Sequence, residues 1–267
     1  MEHNKIAIIH LHRERMVDTS FYHLQEVGLA KALRRRFPNT EIEIWMLVYK
    51  KSNTHIESRQ VDDGICIVMI PSKGIGRHGW LDANLLMERK VESVQINADN
   101  NIFAPSLYRF CEVHSIGVYL YMGTISSNQE GFFRRGIDFI LTKRLAKSYR
   151  NAKVLCKTPL LKEKCDKLGF QRTSLFPVGL DFDRIIERTN NIEELRAELG
   201  LERCLKTKYM LFVGKLEKYK RPMLAVILLS KLSSDFRLIM IGKGSLKEDI
   251  RNLASELQVE DRVVFID

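Results

Sequence analysis

No Cys-x-x-Cys pair occurs in the 267 residues, and Cys66, Cys111, Cys156, Cys165 and Cys204 are scattered and odd in number. That pattern argues against a disulfide or zinc framework and fits free thiols in a reducing, cytoplasmic compartment. No apolar run reaches the length of a bilayer span, and Met1–His10 is too short and polar for a secretory signal. The glycines of Ser72–Gly79 lack P-loop spacing. The basic residues lack regularly interleaved aromatics or a reading motif, so no nucleic-acid partner is expected.

What is present is a composition of 45% hydrophobic and 28% charged residues, which suits a globular chain of one or two domains. The net charge of +10 is concentrated: Arg134–Arg172 holds 12 basic and 3 acidic residues, whereas residues 181–267 hold 16 and 15. Ile137, Ile140, Leu141, Leu145 and Tyr149 recur at helical spacing, with Lys143, Lys147 and Arg150 on a different face and Phe132-Phe133 just before. A basic amphipathic helix of this kind suits an anionic membrane surface. A core-packed helix with a solvated charged side has the same pattern.

Strands are predicted at Lys5–Leu11, Glu41–Val48, Gly64–Ile70, Ile116–Met122, Lys153–Lys157 and Ser174–Pro177, with a weaker strand at Val94–Ile102. Helices are predicted from Asp18-Thr19-Ser20 to Arg36, and at Leu81–Val94, Pro105–His114, Pro159–Leu168 and Ile192–Leu201. Tyr49–Asp63 reads as polar loop, and Ser72–Gly79 as a loop made mobile by Gly74, Gly76 and Gly79. His10 and His12 could face one way near the end of the first strand, but no third metal ligand is evident. Asp181-Phe182-Asp183 reads as helix-capping acids, not as a metal-binding D-x-D. The expected fold class is α/β, with residues 1–180 as one domain and 181–267 as a second.

The second domain carries the chemistry. Tyr209–Val213 is a short apolar strand stopped by Gly214, followed by Lys215, Lys218, Lys220 and Arg221, and then by Pro222 opening the apolar helix Met223–Leu232. Phe236–Ile241 is a second strand, closed by Gly242-Lys243-Gly244-Ser245 and the helix Leu246–Leu257, and Val263–Ile266 begins a third. This βαβαβ alternation implies a parallel sheet. It puts a cationic loop and a Gly-rich loop at one sheet edge, where open α/β sheets bind ligands and cations meet phosphate.

These stretches, Val213-Gly214-Lys215-Leu216 … Tyr219-Lys220-Arg221-Pro222 and Met240-Ile241-Gly242-Lys243-Gly244, together with Pro177-Val178-Gly179-Leu180-Asp181, resemble the donor half of family 4 glycosyltransferases. The resemblance covers roughly Phe176–Asp267 and implies two Rossmann-like domains of the GT-B type with parallel sheets, the second incomplete. It implies that Lys215 and Lys220 hold the diphosphate of a nucleotide-sugar, with Gly214, Gly242, Gly244 and Ser245 as binding positions. The implied reaction transfers a sugar with retention, without metal or other cofactor, to a glycan or lipid-linked acceptor held by the first domain at the cytoplasmic membrane face. The loop after the first strand lacks the family's Gly-Gly, and Met122–Ser127 lacks its His. The alternative is a non-catalytic subunit that binds a nucleotide or a partner.

Overall fold

The computed structural model describes residues 4–14, 21–49, 55–125, 132–179, 197 and 207–266. The chain divides into two compact units, Met1–Asp183 and Arg184–Asp267.

In the first unit, β1 (Lys5–Glu14), β2 (Glu41–Tyr49), β4 (Ile65–Ser72), β7 (Ser93–Asn97), β8 (Gly117–Met122), β9 (Lys153–Cys156) and β10 (Arg172–Leu175) form a parallel sheet. Its order is β10-β9-β8-β7-β1-β2-β4-β3, with β3 (Glu57–Asp62) antiparallel at the edge. Strands are added outward in opposite directions from β1 and β7, so the switch point lies at the C-terminal ends of that pair. Alternating residues of β1 enter two cores. Ala7, Ile9 and Leu11 join the core that includes Leu107 and Cys111 of α3 (Ala104–Val113) and Leu145 of α4 (Phe132–Ser148). Ile8 joins Val27 and Ala30 of α1 (Phe21–Arg36) on the other face.

Several expectations are corrected. The stretch Tyr49–Asp63, read as loop, contains β3; all six of its residues are exposed, so no apolar alternation marked it. Pro71 does not stop β4 but lies inside it, paired with Val48 and beyond the last residue that β3 contacts. A missing N–H is tolerated at such an edge. The helix expected at Leu81–Val94 is only α2 (Asn84–Glu88), because Lys90 adopts φ 57° and the chain turns into β7. Ser72–Gly79, read as loop, contains a hairpin, β5 (Gly74–Ile75) and β6 (His78–Gly79), which pairs back onto β1 at His12. Ile140 and Leu141 of α4 are exposed, at 67% and 39%, while Thr142, Leu145, Ala146 and Tyr149 are buried. Asp18-Thr19-Ser20, Asp181–Asp183 and most of Ile192–Leu201 lie outside the described residues.

In the second unit, β11 (Lys208–Val213), β12 (Phe236–Ile241) and β13 (Val263–Ile266) form a parallel sheet in that order. Helices α6 (Met223–Ser230) and α7 (Lys247–Glu256) place Val226, Leu229, Ile250 and Ala254 against Leu238 and Met240 in one core. The parallel βαβαβ expected from the sequence is the arrangement seen, with boundaries within about two residues.

One buried charge ties the first unit together. Glu43 is 4% exposed and accepts two hydrogen bonds from Arg89 (2.8 and 2.9 Å), one from the Trp45 indole (2.7 Å) and one from Lys5 (3.2 Å). Burial alone would raise its carboxyl, but the hydrogen bonds of Arg89 and Trp45 and the charges of Arg89 and Lys5 outweigh it and hold the group below its ordinary 4.5. A depressed carboxylate adds stability above the unfolded value and loses it as pH falls through the folded value. Urea titrations are therefore expected to show stability falling below pH 4.5, with part of that slope removed by Glu43→Gln. Arg89→Met, which leaves the carboxylate buried without its main partner, is expected to cost about 3 kcal/mol.

Candidate functional site

In the second unit the cationic loop follows β11 and the Gly-rich loop follows β12, so both lie at the same sheet edge. They are joined backbone to backbone. Gly214 N–H donates to Ile241 O (3.0 Å), Leu216 N–H donates to Lys243 O (3.0 Å), and Leu246 N–H donates to Leu216 O (3.0 Å). The approach is so close that a Cβ at Gly242 would overlap the Gly214 carbonyl, and one at Gly244 would overlap the backbone of Leu216. Gly242 also has φ 143°, a region that L side chains avoid. Both glycines therefore have a structural reason, independent of any ligand.

The loop alternates in burial. Lys215 is exposed, Leu216 is fully buried in the core with Val226, Met240 and Ile250, and Glu217 is half-buried. Leu216 thus anchors the loop and leaves its neighbour Lys215 outside. Glu217 accepts from the Ser245 N–H (3.1 Å) and the Ser245 hydroxyl (3.0 Å), which closes the space between the two loops. Those two hydrogen bonds, with a smaller contribution from Lys215, hold the Glu217 carboxyl below its ordinary value.

Lys218–Lys220 form one 3-10 turn, and Arg221 takes a left-handed conformation, φ 52° and ψ 46°, that redirects the chain into buried Pro222 and α6. Lys220 is exposed, and its ammonium lies over the ring of Tyr219, 5.5 Å from the centroid. The structure therefore places Lys215, Lys218, Lys220, Arg221 and Lys243 exposed on two loops at one edge, with Gly214, Gly242, Gly244 and Ser245 forming the frame between them.

A second polar cluster sits at the switch point of the first unit. His10 Nε2 lies 2.7 Å from Glu26 Oε1 of α1, and the Asn97 amide donates to the same carboxylate oxygen (3.2 Å). Asp99, just past β7, accepts from the backbone N–H groups of Gly123 (2.5 Å) and Thr124 (3.3 Å) after β8. His12 faces His78 of the hairpin, with ring centroids 5.5 Å apart. Burial pushes both imidazoles below their ordinary value. Beside this cluster a cavity of about 320 Å³ is lined by Glu26, Gln95, Tyr121 and Phe176. His10 and His12 thus go to separate partners, and no group of three metal-ligating side chains converges among the described residues.

Residues 191–267 match the family described as glycosyl transferases group 1. The group 1 match contains both loops in full. A Campylobacter jejuni N-acetylgalactosamine-N,N'-diacetylbacillosaminyl-diphospho-undecaprenol 4-alpha-N-acetylgalactosaminyltransferase is 36% identical over 63 residues, which are 24% of this chain. Those residues span only 17% of that relative's length. Among solved structures, Anabaena Alr3699/HepE in complex with UDP superposes with a TM-score of 0.66 at 13% identity, covering 98% of this chain and 68% of that one. Sucrose-phosphate synthase from Thermosynechococcus elongatus gives 0.68 at 14% identity, covering 98% and 70%. At such identities these likenesses bear on the fold, and they agree with the GT-B-type pair of Rossmann-like units expected from the sequence.

Sequence reasoning missed Leu216 and Glu217. Leu216 is the only aliphatic residue, and Glu217 the only acid, between Gly214 and Pro222. Those two exceptions in a basic run were the available signal. It also missed the Glu26 and Asn97 partners of His10, which come together only through the fold. Gly244→Ala is expected to force the loops apart, lower the stability of the second unit by about 2 kcal/mol, and increase hydrogen exchange at the Leu216 and Leu246 amides. Unchanged protection at those amides would show that the loops do not depend on that approach.

Proposed function

We propose that this chain acts as a retaining family 4 glycosyltransferase, moving a sugar from a nucleotide-diphosphate-sugar to a glycan or lipid-linked acceptor. The observation that carries the reading is the loop after β11, which buries Leu216 and holds Lys215 exposed within the group 1 match. Lys215 and Lys220 hold the donor diphosphate and neutralise it as charge builds on the departing oxygen. Because the charge comes from ammonium groups, the reading calls for no metal cofactor. Gly214, Gly242, Gly244 and Ser245 form the loop surface beside them, where the nucleoside approaches. A UDP complex of a protein with this fold supports a nucleotide donor, and the diphospho-undecaprenol named in the relative supports a lipid-linked acceptor.

The cytoplasmic membrane face is the proposed place of work. No helix among the described residues is long and apolar enough to cross a membrane. The support for surface binding is α4, where Phe139 and Ile140 are 59% and 67% exposed among exposed Lys143, Arg144 and Lys147. Lys143 Nζ lies 4.4 Å from the Phe139 ring centroid, so cation and aromatic present together. Apolar side chains that enter the headgroup layer, ringed by cations, favour anionic lipid.

Two measurements test this. Lys215→Ala and Lys220→Ala are each expected to weaken UDP binding about tenfold or more by calorimetry while changing uridine binding little. Equal losses for both ligands would remove the diphosphate role. Separately, the Phe139→Ser/Ile140→Ser double variant is expected to reduce sedimentation with phosphatidylglycerol vesicles and leave UDP binding unchanged. Retention of full vesicle binding would remove α4 from the membrane contact.

A further inference from the structure

We infer that a groove in the first unit holds a sugar ring of the acceptor glycan against the indole of Trp80. The groove has a volume of about 410 Å³ and is lined by Ile56, Pro71, Lys73, Trp80, Asp82 and Glu88, among others. Trp80 is 49% exposed, whereas the chain's other tryptophan, Trp45, is fully buried. A single exposed apolar residue is ordinary and by itself means nothing. Here the setting adds three things.

The frame is fixed. The backbone N–H of Trp80 donates to Lys73 O (2.8 Å), and its backbone carbonyl accepts from the hydroxyl of buried Ser72 (2.6 Å). The hairpin between these residues is clamped by Arg13, which donates to Gly76 O (2.5 Å) and Ser72 O (3.3 Å) and lies over the Tyr49 ring at 4.4 Å. Tyr49 itself donates to Gly76 O (3.2 Å). Binding on such a frame loses little backbone entropy. The surface is also concave, with Ile56 and Pro71 giving apolar area beside the indole. Finally, its charges are mixed: one ammonium, Lys73, and two carboxylates, Asp82 and Glu88, all exposed.

That combination selects among occupants. A pyranose has an apolar C–H face, which suits the aromatic face, and a rim of hydroxyls that both donate and accept, which suits carboxylates and an ammonium together. A nucleotide or an anionic lipid surface would meet two carboxylates against one ammonium. An apolar peptide would offer no polar partner to Lys73 or Glu88. Position agrees with the sugar. Pro71 and Ser72 end β4, at the same sheet edge as His10 and Asn97 and two strands from β1, roughly 10 Å away. Calling the sugar part of the acceptor rests on the transferase reading; the groove as a carbohydrate site does not.

Because Trp45 is buried, acrylamide quenching of the full chain reports on Trp80. Maltotetraose, cellotetraose and chitotetraose are titrated to millimolar concentration, with calorimetry alongside and UDP binding measured on the same samples. At least one tetrasaccharide is expected to protect Trp80 saturably. Trp80→Phe is expected to weaken its calorimetric affinity about tenfold and Trp80→Ala to abolish it, with UDP affinity unchanged in both. Protection by none of the three overturns the proposal, as does tetrasaccharide binding that survives Trp80→Ala. Protection by phosphatidylglycerol vesicles without protection by any sugar also overturns it. Sugar binding without UDP binding would sink the transferase reading and leave the carbohydrate groove standing; UDP binding without sugar binding would do the reverse.

Discussion

The approach of the Gly214–Leu216 backbone to the Gly242–Gly244 backbone is the constraint on which the candidate site depends. The second loop can lie this close only because it carries no Cβ at the contact, a condition that Gly242 and Gly244 meet. Once the loops are joined, Leu216 reaches the core, Glu217 reaches Ser245, and the lysines on either side stay outside. The positive charge is therefore held by burial of an apolar residue. Lys215 stays exposed beside Glu217, whose carboxyl it helps to hold below its ordinary value.

The first unit solves a related problem differently. Its ligand-accessible edge is organised by polar side chains: Glu26 from α1 meets His10 and Asn97 from the two strands at the switch point, and Asp99 fixes the turn after β8. At the other side of the edge, Arg13 clamps the hairpin that carries His78 and ends at Trp80. These contacts lock side chains and turns on a parallel sheet whose central strands, β1, β2 and β4, are largely buried. Such locking is what binding of a many-hydroxyl ligand requires, because each loose group would add an ordering cost.

How much was legible beforehand differs between the units for a physical reason. In the second unit every strand is a short, mainly apolar run bounded by glycine or charge, so β11, β12 and β13 and the two loops after β11 and β12 could be read from pattern alone. In the first unit the failures share a cause: β3 is exposed on all six residues, the hairpin strands are two residues each, and α2 is little more than one turn. None of these elements buries enough of its own apolar surface to leave a periodic trace. The α4 pattern misled in the opposite direction. Ile140 and Leu141 keep the spacing of a core face but point to solvent, and a period of 3.6 cannot say whether a protein core or something else covers that face.

Residue order alone determined the α/β class, the parallel alternation of the second unit, and the lysine and glycine spacing that resembles a nucleotide-sugar site. Those depend on local propensity and short-range pattern, which the chain carries everywhere along its length. Tertiary structure decided which groups meet: Leu216 with the core, Glu217 with Ser245, His10 with Glu26 and Asn97, and Glu43 with Arg89. Most of these partners are separated by dozens of residues, and only sheet order and helix packing bring them within reach.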